Sequence, residues 1–358
     1  MVNGSGGERH GAAHWRASGN RVSLPVSVPP EQMEMVTAMT DSLALIFPGQ
    51  GSQQVGMLRE LAERYSVVRT TFEEASDALG RDLWHLTQEG PAEELNRTEL
   101  TQPALLTASV AIWRVWQELE GPRPARMAGH SLGEYSAMVC AGVIGFAEGV
   151  KLVNLRGEAM QTAVPQGQGA MAAILGLENA QVEAACASAA QGEVVAAVNY
   201  NAPGQVVIAG GTAAVERAIA ACQEAGAKRA MPLPVSVPSH CDLMRPAADK
   251  LAEAMNDIDF RAPRYTVIQN VDAKAHEDVE TLRQRLIEQL YQPVRWTDCV
   301  NAMFDSGART FIECGPGKVL TGLGKRIQRQ ARGLAVNDPD SLEAALELAR
   351  ETAAEQNQ

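Results

Sequence analysis

The run Gly129-His130-Ser131-Leu132-Gly133 constrains this chain more than any other feature. It is a Gly-x-Ser-x-Gly sequence set between a short strand-like stretch and a helical pattern. Such a turn lifts a serine hydroxyl out of the backbone on a tight bend, with a glycine on each side so that nothing crowds it. The helix that follows begins at the serine, so free backbone N–H groups point at any charge that develops there. That geometry suits a nucleophile attacking an acyl carbon, and it asks for strand, turn and helix in immediate succession, as in an α/β chain.

At 358 residues the chain has the length for a large core, as one big domain or two smaller ones. A formal charge of -12 argues against nucleic acid as the main partner, so an acidic partner has to dock on a local basic patch. No apolar run approaches the length of a membrane span, and no membrane association is expected. Cys140, Cys186, Cys222, Cys241, Cys299 and Cys314 form no Cys-x-x-Cys pair and no zinc-like grouping with histidine. They read as small core residues of a chain in a reducing compartment, here the cytoplasm, with no metal and no bound cofactor.

Four segments are expected along the chain. Residues 1–40 are rich in Gly, Ser, Ala and Pro without apolar period, and read as a disordered extension. Met33, Met35 and Met39 leave open a later translation start, and Arg9, Arg16 and Arg21 raise a transit peptide that Glu8, Glu31 and Glu34 oppose. Residues 41–165 and 236–345 read as one discontinuous α/β catalytic domain, with a buried strand over 43–47 and helices over 57–80, 102–120 and 148–163. Strands return near 265–270 and 310–313. Between the two parts, 166–235 follows its own rhythm: strand 171–175, helix 179–190, strands 194–199 and 206–209, helix 213–225 and strand 228–235. Pro232 and Pro234 place that last strand at an edge. This is the ferredoxin-like order. Residues 346–358 are expected to form a C-terminal tail.

Ser131 needs a base, because its hydroxyl is barely ionised at neutral pH. His130 is adjacent, and neighbours on a sharp turn point in different directions. His240 is the better candidate: Ser239-His240-Cys241-Asp242 resembles a capping box, and an imidazole on the first turn of a helix is kept neutral and basic. A plain surface or core histidine after a turn fits the same residues. Arg156 falls, at about 100° per residue, within the arc of Leu152, Val153, Leu155, Ala159 and Met160. A buried guanidinium needs an anion, either a structural Asp or Glu or the carboxylate of a substrate. Gly49-Gln50-Gly51-Ser52-Gln53 and Gly315-Pro316-Gly317-Lys318 match no phosphate loop. A loop of the first kind can instead lend a backbone N–H to an oxyanion.

Five motifs then occur in order: Phe47-Pro48-Gly49-Gln50-Gly51-Ser52-Gln53, Gly129-His130-Ser131-Leu132-Gly133-Glu134-Tyr135, Arg156, Val237-Pro238-Ser239-His240 and Gly315-Pro316-Gly317-Lys318-Val319-Leu320. Over about residues 42–340 the chain resembles the malonyl-CoA:acyl carrier protein transacylase family of type II fatty acid synthesis. The resemblance implies an α/β-hydrolase-like large domain with an inserted ferredoxin-like subdomain. It implies Ser131 as nucleophile and His240 as general base, oriented by the carbonyl of Gln289 in place of a triad carboxylate. Gln50 and Leu132 would give the oxyanion N–H groups, Arg156 would hold the malonyl carboxylate, and Met160 and Asn199 would line the site. Malonyl-CoA would be the donor and the phosphopantetheine of acyl carrier protein the acceptor, with the enzyme monomeric.

Lys318, Lys325, Arg326, Arg329 and Arg332 form the densest basic cluster; Lys325 and Arg326 are the candidates for docking the acidic carrier, and a solvated helix face explains the same run. Three other readings stand beside the transacylase one. Arg156 and the Gln289 match speak against a serine thioesterase or hydrolase on a similar elbow, and an intact Ser131 and His240 count against a catalytically silent carrier-binding subunit. The third, an acyltransferase serving polyketide synthesis in trans, is not excluded by these motifs.

Overall fold

β1 (Met39–Phe47) has no exposed residue from Leu43 onward. Leu43, Leu45 and Phe47 enter one apolar cluster while Ala44 and Ile46 enter another. That period of two marks a strand covered on both sides. The computed structural model describes residues 39–235 and 237–356, together with Met1. The extension expected over 1–40 therefore lies outside the described residues, except for Met1 and for Met39 and Thr40, which open β1.

β2 (Arg123–Gly129), β7 (Thr266–Ile268), β8 (Thr310–Cys314) and β9 (Arg332–Val336) join β1 in a parallel sheet of order β7-β2-β1-β8-β9. Parallel neighbours need crossovers, and helices supply them. The helix expected over 57–80 is two, Arg59–Arg64 and Ser66–Leu79, because Tyr65 between them is extended (φ -126°, ψ 106°). Short helices Leu83–Glu89 and Ala92–Leu95 follow. The next helix, Thr98–Glu118, is buried over most of its length and contains Pro103. Pro103 has no N–H for the carbonyl of Glu99, and that carbonyl accepts instead from Asn154 Nδ2 at 2.8 Å. Asn154 belongs to the helix Phe146–Ala163, which crosses so closely that a Cβ on its Gly157 would lie 2.5 Å from Glu99 Cα. This contact sets Arg156 beside Gln102.

A separate antiparallel sheet is formed by β3 (Gly169–Leu175), β4 (Val195–Ala202), β5 (Gln205–Gly211) and β6 (Arg229–Pro232), in the order β4-β5-β3-β6. Helices Asn179–Ala190 and Thr212–Glu224 share its larger apolar cluster. β6 lies at the edge, as expected, but is shorter than the strand expected over 228–235: it stops at Pro232, and Pro234 lies beyond it. β4 ties the small sheet to the segment before the helix Trp296–Asp305: Tyr200 N–H donates to Val294 O at 3.0 Å, and Val294 N–H to Val198 O at 2.8 Å. The last helix runs Pro339–Gln356 and buries Leu342, Ala345, Leu346 and Ala349, a helical stripe, in the cluster that holds Leu43 and Leu45. Residues 346–356, expected as a tail, continue that helix, with Leu346, Ala349 and Thr352 buried and the others half-buried or exposed. No described helix is long and apolar enough to cross a membrane.

Candidate active site

β2 ends at Gly129, Ser131 takes the strained conformation φ 52°, ψ -109°, and the elbow helix Leu132–Cys140 starts at the next residue. The two glycines serve close packing more than clearance of the hydroxyl. A Cβ on Gly129 would lie 1.8 Å from the carbonyl carbon of Gly133, and one on Gly133 would lie 2.0 Å from Phe47 O. The turn is braced from outside: Ser131 N–H donates to Asn270 Oδ1 at 2.8 Å, and Ser131 O accepts from Gln289 Nε2 at 3.0 Å. Leu132, as the first helical residue, has no carbonyl a turn earlier to receive its N–H.

Ser131 Oγ lies 2.8 Å from His240 Nε2, and His240 Nδ1 lies 2.7 Å from the carbonyl oxygen of Gln289. A carbonyl only accepts, so Nδ1 carries the proton and Nε2 presents its lone pair to the serine hydroxyl. The reason His240 stays neutral differs from the sequence expectation. No capping box forms; Ser239 Oγ bonds Val237 O at 3.4 Å, and a short 3-10 turn, Asp242–Met244, follows Cys241 without a side-chain cap. His240 sits before it in a left-handed conformation (φ 64°). Burial, with the Arg156 cation beside it, pushes its pKa down to about 3, against the pull of the Gln289 carbonyl.

Arg156 is fully buried. Its Nη1 donates to Gln102 Oε1 at 2.8 Å, and its Nη2 to Gln289 Oε1 at 3.0 Å and Ser131 Oγ at 3.3 Å. The guanidinium carbon lies 5.1 Å from the centre of the Tyr135 ring, and Nε has no partner. Among the described residues it enters no ion pair. The reading of a structural Asp or Glu partner is therefore not what the structure holds. Two neutral amides and a serine grip the cation, and burial lowers its pKa.

The other expected residues are spread wider. Gln50 is exposed, and its Oε1 accepts from Gln102 Nε2 at 3.3 Å. Met160 is buried with its sulfur 3.7 Å from the same nitrogen. Asn199 is buried on β4 and bridges to Val294, with no side-chain hydrogen bond into the cluster among the described residues. Asn201, two residues along, instead holds His130 Nε2 at 2.8 Å. Lys325 and Arg326 lie apart on the helix Val319–Ile327, where Arg326 reaches Gln205 and, at 3.2 Å, Pro203 O of the small sheet.

Sequence reasoning assigned no role to Gln102, Glu134 or Asn270. Glu134 stands inside the quoted motif, and Gln102 is a polar residue on the apolar side of its helix, which was the available signal. Asn270, just past β7, gave none.

Residues 44–354 match the acyl transferase domain family. The chain is 61% identical over 305 residues to the malonyl CoA-acyl carrier protein transacylase of Escherichia coli, covering 85% of this chain and 99% of the relative. It is 46% identical to the protein of that name from Bacillus subtilis, over 86% of this chain and 98% of the relative. Among solved structures, an acyl carrier protein S-malonyltransferase from Vibrio cholerae is 63% identical, with TM-score 0.84, over 85% of this chain and 99% of that one. A malonyl-transacylase solved with a type II polyketide synthase acyl-carrier protein is 59% identical, with TM-score 0.85, over 86% of this chain and 99% of that one. With its serine, imidazole and guanidinium converging on one turn, the chain belongs to the malonyl CoA-acyl carrier protein transacylase family of acyl transferases.

Proposed function

We propose that this acyltransferase carries a malonyl group from malonyl-CoA to the phosphopantetheine thiol of acyl carrier protein. One observation carries the reading: a fully buried arginine without a carboxylate partner lies 3.3 Å from the serine oxygen. A buried cation that no carboxylate contacts is costly, since Glu134 reaches it only across Gln289, and an acyl group ending in a carboxylate lowers that cost when it binds. Nothing in an acetyl group does so.

Ser131 Oγ attacks the thioester carbon as its proton passes to His240 Nε2, and the backbone N–H groups of Gln50 and Leu132 receive the oxyanion. The tetrahedral intermediate collapses with loss of CoA thiolate, which takes the proton and leaves a malonyl-serine ester. The phosphopantetheine thiol of the carrier then attacks the ester by the same steps, with His240 as base and Ser131 as leaving group. Met160 and Asn199 line the acyl pocket in this reading, and Lys325 and Arg326 dock the acidic carrier. No step calls for a cofactor.

The strand orders support the finer architecture. The parallel sheet with its serine elbow reads as an α/β-hydrolase-like domain over 41–165 and 236–345, and the small sheet with its two helices as a ferredoxin-like insert over 166–235. A monomer in the cytoplasm completes the proposal.

Intact-mass analysis after incubation with malonyl-CoA tests it. The expected result is one malonyl group on the wild type, none on Ser131→Ala, and discharge by holo carrier protein. Rapid release of free malonate without discharge to carrier makes the chain a hydrolase instead.

A further inference from the structure

Glu134 lies on the first turn of the elbow helix with no exposed surface. Its Oε1 accepts from Gln269 Nε2 at 3.0 Å, and its Oε2 from the backbone N–H of Asn270 at 2.8 Å and from Gln289 Nε2 at 2.9 Å. Each of these contacts is a donor. Such a set accepts a carboxylate; an amide or a protonated acid brings a hydrogen of its own against them.

The donors matter through their far ends. With its NH2 turned to Glu134 and to Ser131 O, the Gln289 amide presents Oε1 to Arg156. Turned over, it would set NH2 against the guanidinium, donor against donor. Asn270, gripped through its backbone N–H, holds Ser131 N–H and Gly129 O with its side chain.

We propose that Glu134 is a positioning residue. Its carboxylate fixes the orientation of the Gln289 amide, and through it the Arg156 guanidinium that receives the free carboxylate of the acyl group. Glu134 thereby governs the choice of acyl group without touching substrate. The inference rests on the malonyl-transfer reading above.

Glu134→Gln tests it, with acyl-serine formation from malonyl-CoA and from acetyl-CoA followed separately and Glu134→Asp as the conservative variant. In Glu134→Gln, kcat/KM for malonyl-CoA falls about ten- to a hundredfold while that for acetyl-CoA changes less than about threefold. Glu134→Asp recovers the greater part of the malonyl rate. Equal losses with both donors, or no loss, in a folded variant overturn the proposal.

Should Glu134→Gln fail to fold, Gln269→Met removes one donor and leaves Asn270 and Gln289 in place. It also removes Gln269 Oε1, which is buried without a partner. Burial already holds the Glu134 carboxyl up at about 7, against its hydrogen bonds and Arg156, and a lost donor raises it further. The malonyl-to-acetyl ratio of Gln269→Met then falls more steeply than that of wild type between about pH 8.5 and about pH 6.5. The other groups facing Glu134 do not titrate there. Burial keeps Tyr135 on the elbow helix, and Cys299 on the helix Trp296–Asp305, protonated, and the Arg156 guanidinium keeps its charge. His240 and His130, both lowered by burial, sit below the range. Equal slopes refute the positioning role alone; a wild type that forms no malonyl-serine overturns the transfer reading with it.

Discussion

Glu313 and Arg156 are both fully buried charged side chains, and they are met in opposite ways. Glu313, at the end of β8, accepts from Leu320 N–H at 3.0 Å and from Thr321 N–H and Oγ1 at 2.7 Å each. Its partners stand seven and eight residues downstream, at the open end of the helix Val319–Ile327. A helix end whose N–H groups lack acceptors, and whose dipole favours an anion, is answered by that one carboxylate. Arg156 draws its partners from the helix Thr98–Glu118, the elbow and Gln289, all of them neutral, and one N–H goes unmet. A charge compensated by its own neighbourhood holds a loop. A charge gripped by neutral groups, its carboxylate neighbour Glu134 reached only through Gln289, is left to meet a ligand.

Arg156→Met puts that contrast under the heaviest load. Malonyl transfer is expected to fall by about two to three orders of magnitude, with acetyl transfer spared or raised. Stability should hold or rise, because an apolar residue replaces a buried cation that no carboxylate contacts. Steady-state kinetics with both donors and urea unfolding measure the two halves. A large loss of stability with equal loss of both activities would make Arg156 a structural charge like Glu313.

His240 gives the same region a pH signature. Its folded pKa of about 3 lies below the usual 6.5, so between those values the unfolded chain binds a proton that the native state does not. Stability contributed by the neutral imidazole is therefore present at neutral pH and lost as pH falls through that window, by about 2 kcal/mol at pH 5. Urea unfolding of wild type and His240→Gln at about pH 7 and about pH 5 reads it out. The difference between them should change by that amount, and parallel pH profiles would contradict a neutral buried base.

Glu313→Gln is the counterpart. Removing the charge from a helix end leaves one of its donors facing another donor, at a cost of about 1–2 kcal/mol in unfolding free energy. The malonyl-to-acetyl ratio should not move. A shifted ratio would carry the influence of the acyl site as far as the Gly315 turn, whose own Cβ space is occupied by Pro48 Cγ at 2.4 Å.

The same contrast explains what the sequence could disclose. β1, the serine elbow and the strand-helix rhythm of the small sheet follow local periodicities of two and 3.6, which one chain displays unaided. Arg156 was legible because a helical period sets it among Leu152, Val153 and Met160. Its grip was not, since Gln102 and Gln289 are 54 and 133 residues away in sequence. Glu134 and Asn270 hide for the same reason, being bonded across 136 residues. The imidazole of His240 is legible in the sequence, and the cause of its neutrality is not. What keeps it neutral is burial beside Arg156, a tertiary fact, while the apparent capping box is only a local resemblance.

At the exposed extreme of charge stand Lys325 and Arg326, proposed to dock the carrier. Arg326 already reaches back to Gln205 and Pro203, so its reversal also loosens a contact between the helix Val319–Ile327 and the small sheet. Lys325→Glu is the cleaner probe. The KM for carrier protein should rise about three- to tenfold at low salt, with the KM for malonyl-CoA unchanged, because a rim charge acts mainly on encounter. Solvent screening makes the effect fade as ionic strength approaches about 0.5 M. The Arg156→Met defect, from a fully buried side chain, should keep its size over the same titration. A Lys325→Glu defect that resists salt would mean that the cation is buried in the complex, and one that is absent at low salt would remove this helix face from the docking surface.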